Sequence, residues 1–288
     1  MKKIDLTRFG KNVYSQFGED GIIEKVFKIV TSTEKEKWCV EFGAWDGIEY
    51  SNTRNLIKNK GWRAVLIEPV ARRFKELEKN NESNDKIILF NSFVQFDGKD
   101  SLDNILSTTI IPIDFDLLSI DIDGNDFHIW KSVKKYKPKI VVIEINPTIP
   151  SDIEFVQCKN FNVNQGSSLL SLCKLGTDKG YELIICTEGN AIFVLKKYFH
   201  LFGIIDNSPQ KMMPGKYLTQ FFQLFDGTIV LSGCKRLLWH GIDIDEESIQ
   251  IIPKYLRHFP NWFTVTVAKI LQGDLKTLRE IIFKKRRV

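Results

Sequence analysis

A doubly wound α/β sheet, mainly parallel and finished by an antiparallel hairpin, is the fold that this sequence predicts. Three observations carry the expectation. Short apolar runs at 38–43, 64–68, 87–94, 116–122, 140–145, 181–187 and 191–197 alternate with helical candidates at about 51–60, 70–80, 100–107, 126–136 and 167–179. Strands that are apolar on both faces and separated by helices belong to a parallel sheet covered on each side. The last two runs are joined only by Thr187-Glu-Gly-Asn190, turn chemistry that makes them a hairpin and sets one strand antiparallel to the rest. The first run ends Val40-Glu-Phe-Gly-Ala-Trp-Asp-Gly47 and the second ends on Glu68. Strand, Gly-rich turn, helix and a strand with a terminal acid together form a nucleotide-binding βαβ unit.

Taken in order, residues 1–36 hold Tyr14-Ser-Gln-Phe-Gly-Glu-Asp-Gly-Ile-Ile23 and an amphipathic helix ahead of the first strand. Five βα units and the hairpin then fill 37–198, giving seven strands. Residues 199–288 change character: Pro209 and Met213-Pro-Gly215 interrupt the chain, and Phe221, Phe222 and Phe225 crowd together. A helical candidate at 262–285 ends in Lys284-Lys-Arg-Arg287. This tail is expected to be an α-rich appendage that covers substrate or oligomerises. The 288 residues, 43% hydrophobic and 27% charged, suit one large domain with such an appendage.

The net charge of +5 lies partly in the terminal cluster, which is not the spread basic face of a nucleic-acid binder, so no nucleic-acid partner is expected. The cysteines, Cys39, Cys158, Cys173, Cys186 and Cys234, are five and widely spaced, which points to a reducing compartment. The first residues show no apolar leader and no uncharged run is long enough to span a bilayer. A soluble, cytoplasmic protein is the expectation. Trp262, Phe263, Val265, Val267, Ile270, Leu271, Leu275, Leu278, Ile281 and Ile282 precede the terminal cations at roughly helical spacing. Such an end can lie against the inner face of an anionic membrane, or pack on the protein's own core or a partner subunit in a homo-oligomer.

Glycine spacing bears on the ligand. Dinucleotide sites use G-x-G-x-x-G so that a helix N-terminus can cradle a pyrophosphate. Here the pattern is Glu41-x-Gly43-x-x-x-Gly47, with an acid where a phosphate would be unwelcome. An acidic turn suits a cationic nucleoside without phosphate, and S-adenosylmethionine is one. Gly43 and Gly47 let the backbone approach it, Glu41 faces its cationic methionine end, and Glu68 accepts from its ribose hydroxyls. Ser92 and Phe93, after the third strand, are the candidates for adenine.

A second constellation, Asp121-Ile-Asp-Gly-Asn-Asp126, follows the fourth strand, and Glu144 and Asn146 end the fifth. Asp121 and Asp123 alternate along the strand and share a face. These groups can position the ligands, deprotonate an acceptor hydroxyl, or hold a divalent cation such as Mg²⁺ or Mn²⁺ through Asp121, Asp123 and Glu144. Asp-Gly-Asn is also ordinary turn chemistry. Candidate catalytic residues are Asp121, Asp123 and His128, with His240 as a distant alternative. Asp121 would also touch the cofactor. Asp121-Ile-Asp123 fits equally the D-x-D motif of a metal-dependent glycosyltransferase, and a non-catalytic interaction protein that keeps the fold is a third reading.

The chain resembles the FkbM-type methyltransferases, in a branch that opens with Ser-Gln-x-Gly-Glu-Asp. The resemblance rests on Tyr14–Gly21, Val40–Gly47, Gly61-Trp-Arg-Ala-Val-Leu-Ile-Glu-Pro69, Leu117–Asp126 and Val142-Ile-Glu-Ile-Asn-Pro147, with a weaker match at Ser167-Ser-Leu-Leu-Ser-Leu. It covers residues 14 to about 198 and implies a Rossmann-like class I methyltransferase fold with S-adenosylmethionine as cofactor. It also implies O-methylation of a small-molecule or glycan acceptor: a sugar, a polysaccharide precursor or a secondary metabolite. The opening motif should then fold over the cofactor, with Tyr14, Gln16, Glu19 and Asp20 reaching its methionine end. Alternatively, Glu19 and Asp20 are acids at a helix N-terminus, where the dipole favours them.

Overall fold

The computed structural model describes residues 3–30, 36–238, 240–257, 266 and 270. The chain divides into two units, Met1–Lys216 and Tyr217–Val288. In the first unit lie β1 (Trp38–Phe42), β2 (Arg63–Ile67), β3 (Ile87–Phe90), β4 (Leu117–Ile120), β5 (Ile140–Glu144), β6 (Tyr181–Cys186) and β7 (Asn190–Leu195). They form one sheet in the order β3-β2-β1-β4-β5-β7-β6. The first five are parallel, and β7 runs antiparallel between β5 and β6. Thr187 closes the hairpin, its N–H donating to the Asn190 carbonyl at 2.8 Å and its Oγ1 accepting from the Asn190 N–H at 3.0 Å. This strand order, with an antiparallel final hairpin, is the Rossmann-like class I methyltransferase fold.

Side chains alternate between two cores because a strand's pleat has a period of two. Trp38, Val40, Phe42, Val65, Ile67, Leu118, Ile120, Val141 and Ile143 face one layer. Cys39, Ala64, Leu66, Leu117, Ile140 and Val142 face the other. α4 (Leu102–Ser107), α5 (Asp126–Ser132) and α6 (Leu169–Lys179) cover the first face through Leu106, Ile129, Trp130 and Leu172. α1 (Glu19–Ile29), α2 (Arg54–Lys60) and α3 (Ala71–Lys79) cover the second through Ile23, Val26, Leu56 and Leu77. Each fully buried side chain of this kind contributes about 1.5–3 kcal/mol. Cys39 and Cys186 are buried within the cores, and all five cysteines are free.

Side-chain hydrogen bonds set the element ends where they depart from the apolar pattern. α2 begins at Arg54 rather than at Ser51, because Ser51, Asn52 and Thr53 all donate to Glu41. β3 stops at Phe90, where Asn91 turns aside to donate to the carbonyls of Glu68 and Pro69. α5 ends at Ser132 rather than near 136, because Asp103 captures the N–H groups of Lys134 and Lys135 at 2.7 and 3.0 Å.

The second unit corrects the expectation of an α-rich appendage over residues 217–257. It holds a hairpin of β8 (Gln220–Gln223) and β9 (Ile229–Ser232) and a two-residue strand pair, Arg236–Leu237 with Ile242–Asp243. The overlooked signal was Asp226-Gly227 between apolar residues, a strong hairpin turn, and Gly227 adopts φ 85°. The helical and membrane-contact expectation for 262–288 lies outside the described residues, apart from positions 266 and 270. No helix among the described residues is long and apolar enough to cross a membrane.

Candidate functional site

In an open α/β sheet, ligands bind beyond the carboxyl ends of the strands. A cleft of about 550 Å³ lies there, edged by Phe42 and Gly43 at the end of β1, Ile67 and Glu68 at the end of β2, Ser92 and Phe93 after β3, Asp121 after β4 and Glu144 at the end of β5. That volume is in the ordinary range for a cofactor site. Among the described residues, six carboxylates line the cleft, those of Glu41, Glu49, Glu68, Asp121, Asp123 and Glu144, against the lone cation of Arg73. Arg73 stacks 4.1 Å from the centre of the Trp45 ring.

Glycine at 43 is required by close approach. Its φ is 75°, and a Cβ there would lie 1.9 Å from the Asp121 carbonyl oxygen. The loops after β1 and β4 therefore meet at a point only a hydrogen can occupy. Gly47 (φ 73°) faces Leu77 rather than the cleft.

Glu68 is buried, and its two oxygens accept from the N–H groups of Trp45 and Val70 at 2.9 and 2.8 Å. A carboxylate offers about four lone-pair positions, so capacity remains for hydroxyl donors in the cleft. Burial raises its pKa, against these two N–H bonds and the Arg73 charge. Glu41 also lines the cleft, but it braces the loop before α2: Oε2 accepts from Ser51 and Thr53 at 2.6 and 2.7 Å, and Oε1 from the Asn52 N–H at 2.8 Å. Burial likewise raises its pKa, with the Asp20 carboxylate adding to the rise.

The turn after β4 is shaped by Asp126. Its carboxylate accepts from the N–H groups of Ile122 and Gly124 at 3.0 and 2.9 Å, which leaves Asp121 and Asp123 to face the cleft. Asp123 takes a left-handed conformation, φ 57°. Burial pushes Asp121 well above the usual carboxylate range, and the charges of Asp126, Asp123, Glu41 and Glu19 push it further. Asp126 itself is pushed up to about 7, first by burial. Asp121, Asp123 and Glu144 each bring a carboxylate oxygen within 4.8 Å of the other two. The expected trio is thus assembled by β4 and its neighbour β5.

Other expected groups are used elsewhere. Asn146 holds its own loop: Oδ1 accepts from Thr148, and the amide donates to the Gln165 carbonyl. Asn125, directly before α5 within the Asp121–Asp126 motif, does line the cleft. The structure does not bring His128 to the cleft. Its Nε2 lies 2.8 Å from the Gln157 carbonyl, and its ring packs edge-on against Phe96 and Phe127. Helical rotation two residues past Asp126 turns it toward the 157–166 loop.

The Ser-Gln-Phe-Gly-Glu-Asp segment is tied by its own acids. Asp20 Oδ2 gathers the N–H groups of Val13, Tyr14 and Ser15 at 2.7–2.8 Å. Glu19 accepts from the Phe17 N–H, the Thr187 hydroxyl and the Asn190 amide. Neither lines the cleft, whereas Gln16 does. Both acids occupy the first turn of α1; Asp20 ties the segment to itself, and Glu19 braces it onto the β6–β7 turn, where Phe17 covers Gly189.

Ser92 and Phe93 line the cleft as expected. Residues not foreseen there are Trp45, Tyr50, Phe161 and Asn164. Phe161 meets Phe93 edge-on at 4.6 Å and stacks on Phe96 at 4.3 Å. It comes from the long connection between β5 and α6, whose length without apolar periodicity was the available signal.

No protein-family model matches this chain, and no curated protein does. Solved structures do resemble it. The citrinin polyketide synthase CMeT domain shares 12% identity, with 61% of this chain and 50% of that one covered and a TM-score of 0.41. TrmK from M. capricolum, in complex with S-adenosyl-homocysteine, shares 13% over 59% of this chain and 66% of that one, with a TM-score of 0.35. The METTL16 MTase domain shares 17% over 61% and 66%, with a TM-score of 0.39. The chain thus spans less than two thirds of each of these structures.

Proposed function

We propose that this protein is an S-adenosylmethionine-dependent methyltransferase that methylates an oxygen of its acceptor. The observation that carries the reading is the charge of the cleft: six carboxylates and a single arginine at the carboxyl ends of a class I sheet. Such a lining favours a cationic nucleoside and disfavours a free phosphate or pyrophosphate. Glu68 has lone pairs left for the ribose hydroxyls, Gly43 keeps the floor close to the ligand, and Ser92 and Phe93 flank the place for adenine.

In the reaction, a lone pair of the acceptor oxygen forms the new bond to the methyl carbon. The carbon–sulfur bond breaks with its electron pair going to sulfur, and the hydroxyl proton leaves to Asp121 or Asp123. A carboxylate whose pKa is raised by burial, as at Asp121, takes up a proton more readily when it is ionised than an ordinary one does. The rest of the catalysis is alignment of oxygen, carbon and sulfur with water excluded. The acceptor in this reading is a sugar, a polysaccharide precursor or a secondary-metabolite hydroxyl, by the motif resemblance.

Calorimetric titration with S-adenosylmethionine and S-adenosylhomocysteine tests the reading. Binding of both is expected, weakened about 100-fold in Glu68→Ala, since two hydrogen bonds to a charged group contribute about 3 kcal/mol together. Absence of binding to either, with tight binding of a nucleotide sugar instead, would favour the glycosyltransferase alternative.

A further inference from the structure

Asp121, Asp123 and Glu144 each bring a carboxylate oxygen within 4.8 Å of the others, in a cleft whose one cation among the described residues, Arg73, is stacked on Trp45. Clustered acids alone are not a site. Beside them stands a second, independent feature. Asn125 is 3% exposed and lines the same cleft. Its Nδ2 donates to the Asn160 carbonyl at 3.0 Å. That bond settles the orientation of the amide, because the flipped form would set oxygen against oxygen. Oδ1 is buried with no hydrogen-bond partner among the described residues. An orphaned buried acceptor costs about 1–3 kcal/mol, and a donor or a cation relieves it.

We propose that carboxylate oxygens of Asp121, Asp123 and Glu144, with Oδ1 of Asn125, hold a hard divalent cation that binds the acceptor hydroxyl. The donor set is all oxygen, which suits Mg²⁺, Mn²⁺ or Ca²⁺ rather than a softer ion. Two ligands of one ion lie at most twice the metal–oxygen distance apart: about 4.2 Å for Mg²⁺ and about 4.6–5.2 Å for Ca²⁺. The observed limit of 4.8 Å fits the larger ion as it stands and the smaller after closing by roughly half an ångström. Four protein oxygens leave positions for water and for the acceptor. With the cation in place, a bound hydroxyl would be far more acidic than a free one, and its proton would leave to water rather than to Asp121 or Asp123, whose oxygens would then be occupied as ligands. The acceptor role rests on the methyl-transfer reading; the cation site does not.

The test is a Mn²⁺ titration of the chelator-stripped full-length protein, followed by electron paramagnetic resonance. One Mn²⁺ per chain is expected, displaced by Mg²⁺ or Ca²⁺. Asp123→Asn and Glu144→Gln should each weaken it at least about tenfold, on the scale of lost metal-site contacts. Asn125→Leu should weaken it as well. Asp123 is exposed, so its variant tests the site without disturbing the core, and near-ultraviolet circular dichroism verifies the fold of all three. No Mn²⁺ binding at millimolar concentration, or variants that bind like the parent protein, would overturn the site. So would displacement of Mn²⁺ by S-adenosylmethionine, which would make the acids a seat for its ammonium group. Carboxylate-dependent Mn²⁺ binding without any S-adenosylmethionine binding would leave the site standing and remove the methyl-transfer reading.

Discussion

The two ends of the parallel sheet each carry a hollow, and the hollows are chemically opposite. At the amino ends, about 430 Å³ is lined by Lys28, Lys37, Lys60, Arg63 and Lys86 with Glu24 and Glu36. Two of these cations have acid partners: Lys60 pairs with Glu24 at 3.3 Å and Arg63 with Glu36 at 3.1 Å. Lys37 sits over the Phe27 and Trp62 rings, and Lys86 donates to the Gly61 carbonyl. At the carboxyl ends, six acids meet one arginine, and burial holds several of them above their ordinary pKa. Concavity is common to both ends. What separates them is sign: the amino-end hollow sets five cations against two acids, both of them paired, and the carboxyl-end cleft sets six acids against one arginine, an imbalance that a cationic ligand would resolve.

The sharpest way to break the contrast is at the floor of the acidic cleft. Gly43→Ala places a methyl group against the Asp121 carbonyl at a left-handed φ. A loss of about 3 kcal/mol or more is expected, lowering the melting temperature by roughly 6–12 °C, and a scan by differential calorimetry measures it. An unchanged melting temperature would mean that the β1 and β4 loops are not held as close as described. Next comes Glu68→Ala, whose expected loss of about 100-fold in cofactor affinity is specific to this end. The same measurement on Arg63→Ala, at the other hollow, should show no change.

Titration distinguishes the ends as well. Asp126 is pushed from 3.8 up to about 7, so the native state holds this proton more tightly than the unfolded chain. Stability from this group therefore falls as pH rises from about 4 to 7 and levels off above. Urea midpoints should be higher at pH 5 than at pH 8, and Asp126→Asn should flatten that slope. Lys179, at the end of α6, is lowered from 10.5 to about 8 by burial and then by Lys134 and Lys137. Here the native state releases the proton first, so stability rises with pH between about 8 and 10.5. Lys179→Met should remove that rise in the same urea experiment. The smallest effect belongs to the exposed pairs: Lys60→Ala should change stability by less than about 1 kcal/mol, measured by urea unfolding.

The sheet was legible because both strand and helix leave periodic traces. Apolar runs marked all seven strands, and Thr187-Glu-Gly-Asn190 marked the hairpin that β6 and β7 form. Element ends were less legible, since Glu41, Asn91 and Asp103 set them through partners distant in sequence. Gly43, Glu68, Asp121, Asp123 and Glu144 could be placed in advance because each ends a strand, and strand ends in this fold converge on one crevice. His128, Asn146 and the opening acids could not, because residue type alone does not say whether a polar group faces a ligand or the protein's own backbone. Asp20 illustrates this: a motif acid that looks like a ligand contact spends one oxygen on three N–H groups of its own loop.

The sequence by itself therefore determined the order of elements, the hairpin and the strand-end residues of the acidic cleft. Those follow from local patterning, in which a period of two or 3.6 residues states which face is buried. Tertiary structure alone decided which acids brace loops and which line the cleft. It alone brought Phe161 from the β5–α6 connection against Phe93, and left Asn125, with a buried Oδ1 that has no hydrogen-bond partner among the described residues, in the lining of the same cleft as three clustered carboxylates. Hydrogen-bond satisfaction and charge balance are sums over neighbours in space, and the chain brings those neighbours from positions that no local pattern relates.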